Sequence, residues 1–237
     1  MPIGQSRSSV AALEHFARLR MTLGGAVEEQ LHSSIQALEK RDIKLANAVI
    51  EKDMMIDQLE QELREAAVEL LGSVWLPKPH IPEILSTLSV SKTLERIGDL
   101  SKNVSKRTLV ISGEDAGDMV TTVARLGKRA LSQLSDVLDG YRERDVKLAA
   151  SVWNSDSQLD EMFNSIFQEI AEYIVSDKSH ITAGLHLAFV AKNYERVGDH
   201  TTNIAEQLQY SLTGEYPEAK RPKGDDTSSS ILGRDDD

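Results

Sequence analysis

The chain repeats itself, and an internal duplication constrains its fold more than composition can, because whatever one copy forms the other must form as well. Arg41-Asp42-Ile43-Lys44-Leu45-Ala46 returns as Arg144-Asp145-Val146-Lys147-Leu148-Ala149, an offset of 103 residues. Leu23-Gly24 and Gln30-Leu31 return at the same offset as Leu126-Gly127 and Gln133-Leu134. Further along, Glu95-Arg96-Ile97-Gly98-Asp99 returns as Glu195-Arg196-Val197-Gly198-Asp199, and Asn103 as Asn203, at an offset of 100. Residues 81–104 and 181–204 share 9 identities in 24, so this is duplication and not shared composition. The first copy therefore carries three extra residues in an interval that includes Pro77-Lys78-Pro79. Proline lacks a donor and pushes its predecessor out of the helical region, which predicts a longer, stiffer connection there.

Within each copy the apolar period is helical. Phe16, Leu19, Leu23, Val27, Leu31, Ile35 and Leu38 step by three and four, as a stripe facing a core requires. Leu45 to Leu70 forms a second stripe and Ile84 to Val104 a third, the latter opened by Pro82 in its first turn. Gly113-Glu114-Asp115-Ala116-Gly117-Asp118 has turn composition where one copy hands over to the next. Three more helices are expected near 118–140, 144–176 and 179–212, closed by Thr213-Gly214. No alternating strand pattern occurs. The expected fold is all-α, two tandem three-helix bundles over 1–112 and 113–214, with 215–237 a flexible tail too poor in apolar residues to offset its ordering entropy.

The 237 residues carry a net charge of −11 and no cysteine. The charge opposes nucleic acid and anionic lipid as direct ligands. Lacking cysteine, the chain has no disulfides, thiolate metal sites or cysteine nucleophiles. The N-terminal residues lack a signal-peptide pattern and no window is long and apolar enough to span a bilayer, so the expected location is the cytoplasm.

The candidate site is a set of carboxylates. Glu95 and Asp99 lie four apart on one helix face, with Asn103 continuing the row, and Glu195, Asp199 and Asn203 repeat it. On the preceding helix Asp53 and Asp57 pair in the same way, matched by Asp156 and Asp160. Like charges at this spacing repel, and a hard cation would remove the conflict. Oxygen ligands point to magnesium, calcium, manganese or iron. The competing reading is that these acids are solvated faces of amphipathic helices. Gly98 and Gly198 lie beside the row, where glycine costs a helix roughly 1 kcal/mol against alanine; they serve either close approach of a bound group or tight helix packing. Glu29-Gln30-Leu31-His32 supplies a single Glu-x-x-His, where a di-metal redox core needs two. Nucleotide-binding loops and nucleophile elbows are absent.

The tandem repeat carrying Glu95-Arg96-Ile97-Gly98-Asp99 and Glu195-Arg196-Val197-Gly198-Asp199, with Gly24-Gly25-Ala26-Val27-Glu28, resembles the PhoU family of bacterial phosphate-regulon regulators over about Phe16 to Gly214. The resemblance implies a cytoplasmic, non-enzymatic adaptor that represses phosphate-starvation signalling when phosphate is plentiful. Its implied partners are the ATPase and permease of the phosphate ABC transporter and a sensor histidine kinase, with the membrane reached only through them. It implies a homodimer, and iron, zinc, manganese or magnesium held by the family's acidic motif, here Asp53/Asp57, Glu95/Asp99, Asp156/Asp160 and Glu195/Asp199. A metal-dependent helical-bundle enzyme is the alternative. One departure stands out: where the family has Pro followed by Asp-Leu-Arg before the third helix, this chain has Pro77-Lys78-Pro79-His80-Ile81-Pro82-Glu83.

Overall fold

The computed structural model describes residues 3–73 and 76–217, and the side chains of all these except residues 3–9 and Asp156. Among the described residues there are helices and turns and no strand. Helices α1 (Ile3–Lys40), α2 (Ile43–Gly72) and α3 (His80–Ile111) pack together as the first bundle. Helices α4 (Met119–Glu143), α5 (Val146–Asn154), α6 (Asp156–Ser176) and α7 (Ile181–Thr213) form the second.

The repeated Arg-Asp-Ile/Val-Lys-Leu-Ala segment is a helix stop followed at once by a helix start. Arg41 and Arg144 both adopt the left-handed conformation, with φ of 51° and 55°. Asp42 then caps α2 by accepting from the Leu45 amide at 3.0 Å, and Asp145 caps α5 by accepting from the Lys147 amide at 2.7 Å. A non-glycine residue there costs roughly 1–2 kcal/mol, which glycine would avoid. In both copies the arginine side chain reaches across to another element. Arg41 donates to the carbonyls of Glu114 and Gly117, strapping the inter-bundle connection, and Arg144 reaches Glu83 of the other bundle at 3.3 Å. Glu83 also takes Arg20 at 3.3 Å, so the segment that departs from the Asp-Leu-Arg pattern is tied to both bundles through its last residue.

The helix expected over 144–176 is broken at Ser155, so the described residues hold seven α-helices where six were expected. The matched residues in the unbroken α2 are Glu51 and Lys52, good helix formers, whereas Asn154 and Ser155 compete with the backbone for hydrogen bonds. The Gln133 amide completes the break by donating to the Ser155 carbonyl at 3.1 Å and to its hydroxyl at 2.9 Å. Of the expected tail, residues 218–237 lie outside the described residues, and Tyr216 stacks on Tyr210 with ring centroids 4.5 Å apart.

The two bundles meet through equivalent elements, α1 against α4 and α3 against α7. That is the signature of a pseudo-two-fold interface inside one chain. It explains the repeated Leu-Gly pair. A methyl group added at Gly24 on α1 would meet Leu138 of α4 at 3.0 Å, and one at Gly127 on α4 would meet Ile35 of α1 at 2.9 Å. Leu138 and Ile35 are themselves matched at the offset of 103, so each copy inserts the same knob into the other's glycine. Tyr194 of α7 completes the seam: it is fully buried and lies 2.7 Å from where that Gly127 methyl would be.

Candidate functional site

In the first bundle the acids expected from the sequence come together on the α2–α3 face, and a lysine stands among them. Lys102, one helical turn past Asp99, donates to Asp53 Oδ2 and, at 2.7 Å, to Asp99 Oδ1. Asp53 is buried, and its other oxygen accepts the Gln30 amide at 3.2 Å. Burial lowers the Lys102 pKa, but the hydrogen bonds to Asp53 and Asp99 outweigh it and hold the ammonium above its ordinary value. Glu95 pairs with Lys92 at 2.9 Å, and Arg96 lies 3.6 Å from Glu95 and 3.5 Å from Asp99. Desolvation and then the neighbouring Asp53, with Glu95 and Asp99 adding, raise the Asp57 carboxyl above its usual range, while Lys102 pulls it back. Asn103 is exposed at the end of the row.

The second bundle carries the matched acids on α6 and α7. Asp160 and Glu195 are buried at 4% exposure each, Asp199 is half-buried and Asn203 exposed. The side chain of Asp156 lies outside the described residues. Lys192 pairs with Glu195 at 3.1 Å, as Lys92 does with Glu95. At the position matching Lys102 stands Thr202, whose hydroxyl donates to the Gly198 carbonyl at 3.1 Å.

The glycines beside the rows serve helix packing. A methyl group on Gly98 would meet Gln30 Oε1 at 3.0 Å and Ile56 at 3.2 Å, and one on Gly198 would run into Leu159, the residue matched to Ile56. The close approach is made by the adjacent helix. Sequence reasoning did not single out Lys102, although setting the copies side by side shows lysine against threonine in the middle of the most similar stretch.

The donors are oxygens, the type a hard cation takes. Among the described residues no three His, Cys, Asp or Glu side chains are gathered as a metal site would need. In the first bundle the cation bridging Asp53 and Asp99 is the chain's own ammonium. The described residues contain no helix long and apolar enough to cross a membrane.

A family profile described as the PhoU domain matches twice, over residues 21–108 and 123–208. The phosphate-specific transport system accessory protein PhoU homolog of Caulobacter vibrioides is 39% identical over 214 residues, which is 90% of this chain and 93% of that one. The crystal structure of PhoU from Pseudomonas aeruginosa superposes with a TM-score of 0.83 at 29% identity, covering 86% of this chain and 99% of that one. That of the phosphate transport system regulatory protein PhoU from Streptococcus pneumoniae gives 0.80 at 26% identity, covering 89% and 100%.

Proposed function

Because the chain belongs to the PhoU family, we propose that it is an accessory regulator of phosphate uptake, a non-enzymatic adaptor that holds the phosphate-starvation response off while phosphate is plentiful. The observation that carries this reading is the match of the family domain to both copies, together with relatives named as accessory or regulatory proteins of phosphate transport. In this reading the protein works in the cytoplasm as a homodimer, between the ATPase and permease of a phosphate ABC transporter and a sensor histidine kinase, and meets the membrane only through them. An acidic chain of net charge −11 suits protein partners better than nucleic acid or anionic lipid. Deleting the gene should leave phosphate-starvation genes switched on in phosphate-replete medium, and the intact gene should restore repression. Normal repression in the deletion strain would reject the assignment.

The same reading includes a multivalent cation, iron, zinc, manganese or magnesium. Asp53, Asp57, Glu95 and Asp99 with Asn103 would hold it in the first bundle, and Asp156, Asp160, Glu195 and Asp199 with Asn203 in the second. Such an ion would neutralise the acids and tie two helices of a bundle together. Its support is the recurrence of four acids per bundle, two of them buried in the second at 4% exposure. Changing Asp99 and Asp199 together to asparagine should lower the metal bound per chain. Metal at about 100 times its Kd should stabilise the parent by about 2.7 kcal/mol and the variant by clearly less. Equal metal content in parent and variant would make these residues solvated helix faces.

A further inference from the structure

We propose that one half of the seam between α1 and α4 is a binding site, a cavity that takes the hydroxyphenyl side chain of a tyrosine on a partner protein. This goes beyond the regulatory reading and depends neither on it nor on the cation.

The other half of the seam shows what fits. There Tyr194 of α7 covers Gly127: a methyl group on that glycine would meet the tyrosine ring at 2.7 Å as well as Ile35 at 2.9 Å. Lys128, next in the chain, closes the outside by pairing with Glu39 at 2.6 Å. The internal repeat matches Tyr194, Gly127, Lys128 and Glu39 with Leu94, Gly24, Gly25 and Arg142. Leucine is shorter than tyrosine, and glycine offers arginine no charge, so this half lacks both the plug and the latch. The atoms nearest a methyl group on Gly24 all belong to Leu138, and nothing lies within 4 Å of one on Gly25. Arg142 pairs instead with Asp139 at 2.9 Å. Between them lies a cavity of about 120 Å³ lined by Gly24, Val90, Leu94 and Leu138, with Gly25 and Arg142 at its mouth. An apolar cavity of roughly 150 Å³ admits benzene, so the space suits a single ring.

Arg20 selects the kind of ring. It lines the cavity, and its Nε is buried without a hydrogen-bond partner. A buried donor left unmade is costly, and an occupant bearing an acceptor oxygen would relieve it. A phenol supplies ring and oxygen together. Gly25 and the Arg142 side chain are exposed, which leaves the mouth free for the backbone that carries such a side chain.

Titration of the full chain with p-cresol, the free side chain of tyrosine, followed through the methyl resonances of Leu94 and Leu138, tests the site. Both should shift, with a Kd of about 1 mM, ordinary for a ligand of this size. N-acetyltyrosine amide should shift the same methyls with similar affinity, because its amide groups stay outside. Toluene should bind several-fold more weakly, since it cannot accept from Arg20; equal binding would overturn the choice of a hydroxyl-bearing ring. Leu94→Tyr, which installs the plug of the other half, should abolish p-cresol binding as read at Leu138. Gly25→Lys with Arg142→Glu installs the latch at exposed positions and guards against a folding defect. It should weaken binding several-fold, because the ion pair must open first. If p-cresol shifts these methyls and the tyrosine amide does not, the cavity takes a free phenol and the partner's side chain is ruled out. If p-cresol leaves them unmoved in the parent, or moves Leu138 equally in Leu94→Tyr, the site itself is overturned.

Discussion

Replacing Tyr194 with alanine should destabilise the protein by about 3–5 kcal/mol, the range for deleting a large buried aromatic side chain. Tyr194 is fully buried, and it packs where α7 meets α1 and α4, beside Gly127 and Ile35. The cavity would open in the seam between the bundles, where neighbouring helices belong to different copies and cannot collapse independently. Tyr194→Phe should stay within about 1 kcal/mol of the parent, because the phenol makes no well-formed hydrogen bond. Ser34, the polar group facing it, gives its own proton to the Leu31 carbonyl at 2.8 Å. Urea denaturation followed by circular dichroism measures both. An alanine variant as stable as the phenylalanine one would show that Tyr194 does not tie the bundles together.

Alkaline pH should unfold the chain through the same seam. Tyr141 of α4 is buried and shares a hydrogen bond of 3.1 Å with Ser86 of α3, whose hydroxyl also donates to the Gln207 carbonyl of α7 at 2.8 Å. Burial pushes the Tyr141 phenol up to about 12, only partly offset by that bond. Burial raises Tyr194 as well. An acid whose folded pKa lies above its unfolded value contributes stability that is fully present below the unfolded pKa. That contribution is lost as pH rises through the folded pKa. For Tyr141 the window runs from about 10 to 12 and is worth about 2.7 kcal/mol at about 1.36 kcal/mol per unit, with Tyr194 adding loss of the same sign. Tyrosinate absorption and helix content, recorded together, should show Tyr141 and Tyr194 ionising only as the helices melt, and Tyr141→Phe should shift that melting to higher pH. Ionisation of all five tyrosines with helix content intact would contradict this.

Much of the fold was legible because its determinants are local. The apolar stripe from Phe16 to Leu38 marks one buried face, and Phe16, Leu23, Val27, Leu31, Ile35 and Leu38 are all buried. The repeated Arg-Asp segments close one helix and open the next, and the aspartate cap that does so is set by residues adjacent in the chain. The break at Ser155 was harder to read. Asn154-Ser155 only weakens a helix, and the decisive partner, Gln133, lies 22 residues away on another element. The acids were found by spacing and repetition, both visible along one chain. What bridges them was not, because Lys102 and Asp53 are 49 residues apart and nothing in the helical period indicates that they touch.

The sequence by itself determined that this protein is helical, that it is built twice, and where each copy places its acids, because helical periodicity, caps and internal identity depend on residues close in the chain or on direct self-comparison. Only the tertiary structure decided how the copies meet and what charge sits among the acids. Leu138 against Gly24, Ile35 against Gly127 and Tyr194 beside them are contacts between chain-distant residues, selected by close packing of whole helices. Lys102 became the counter-ion of Asp53 for the same reason: α2 and α3 pack with those two side chains face to face, and in that half-buried setting an ammonium between two carboxylates is held by Coulomb attraction and hydrogen bonds that no local pattern records.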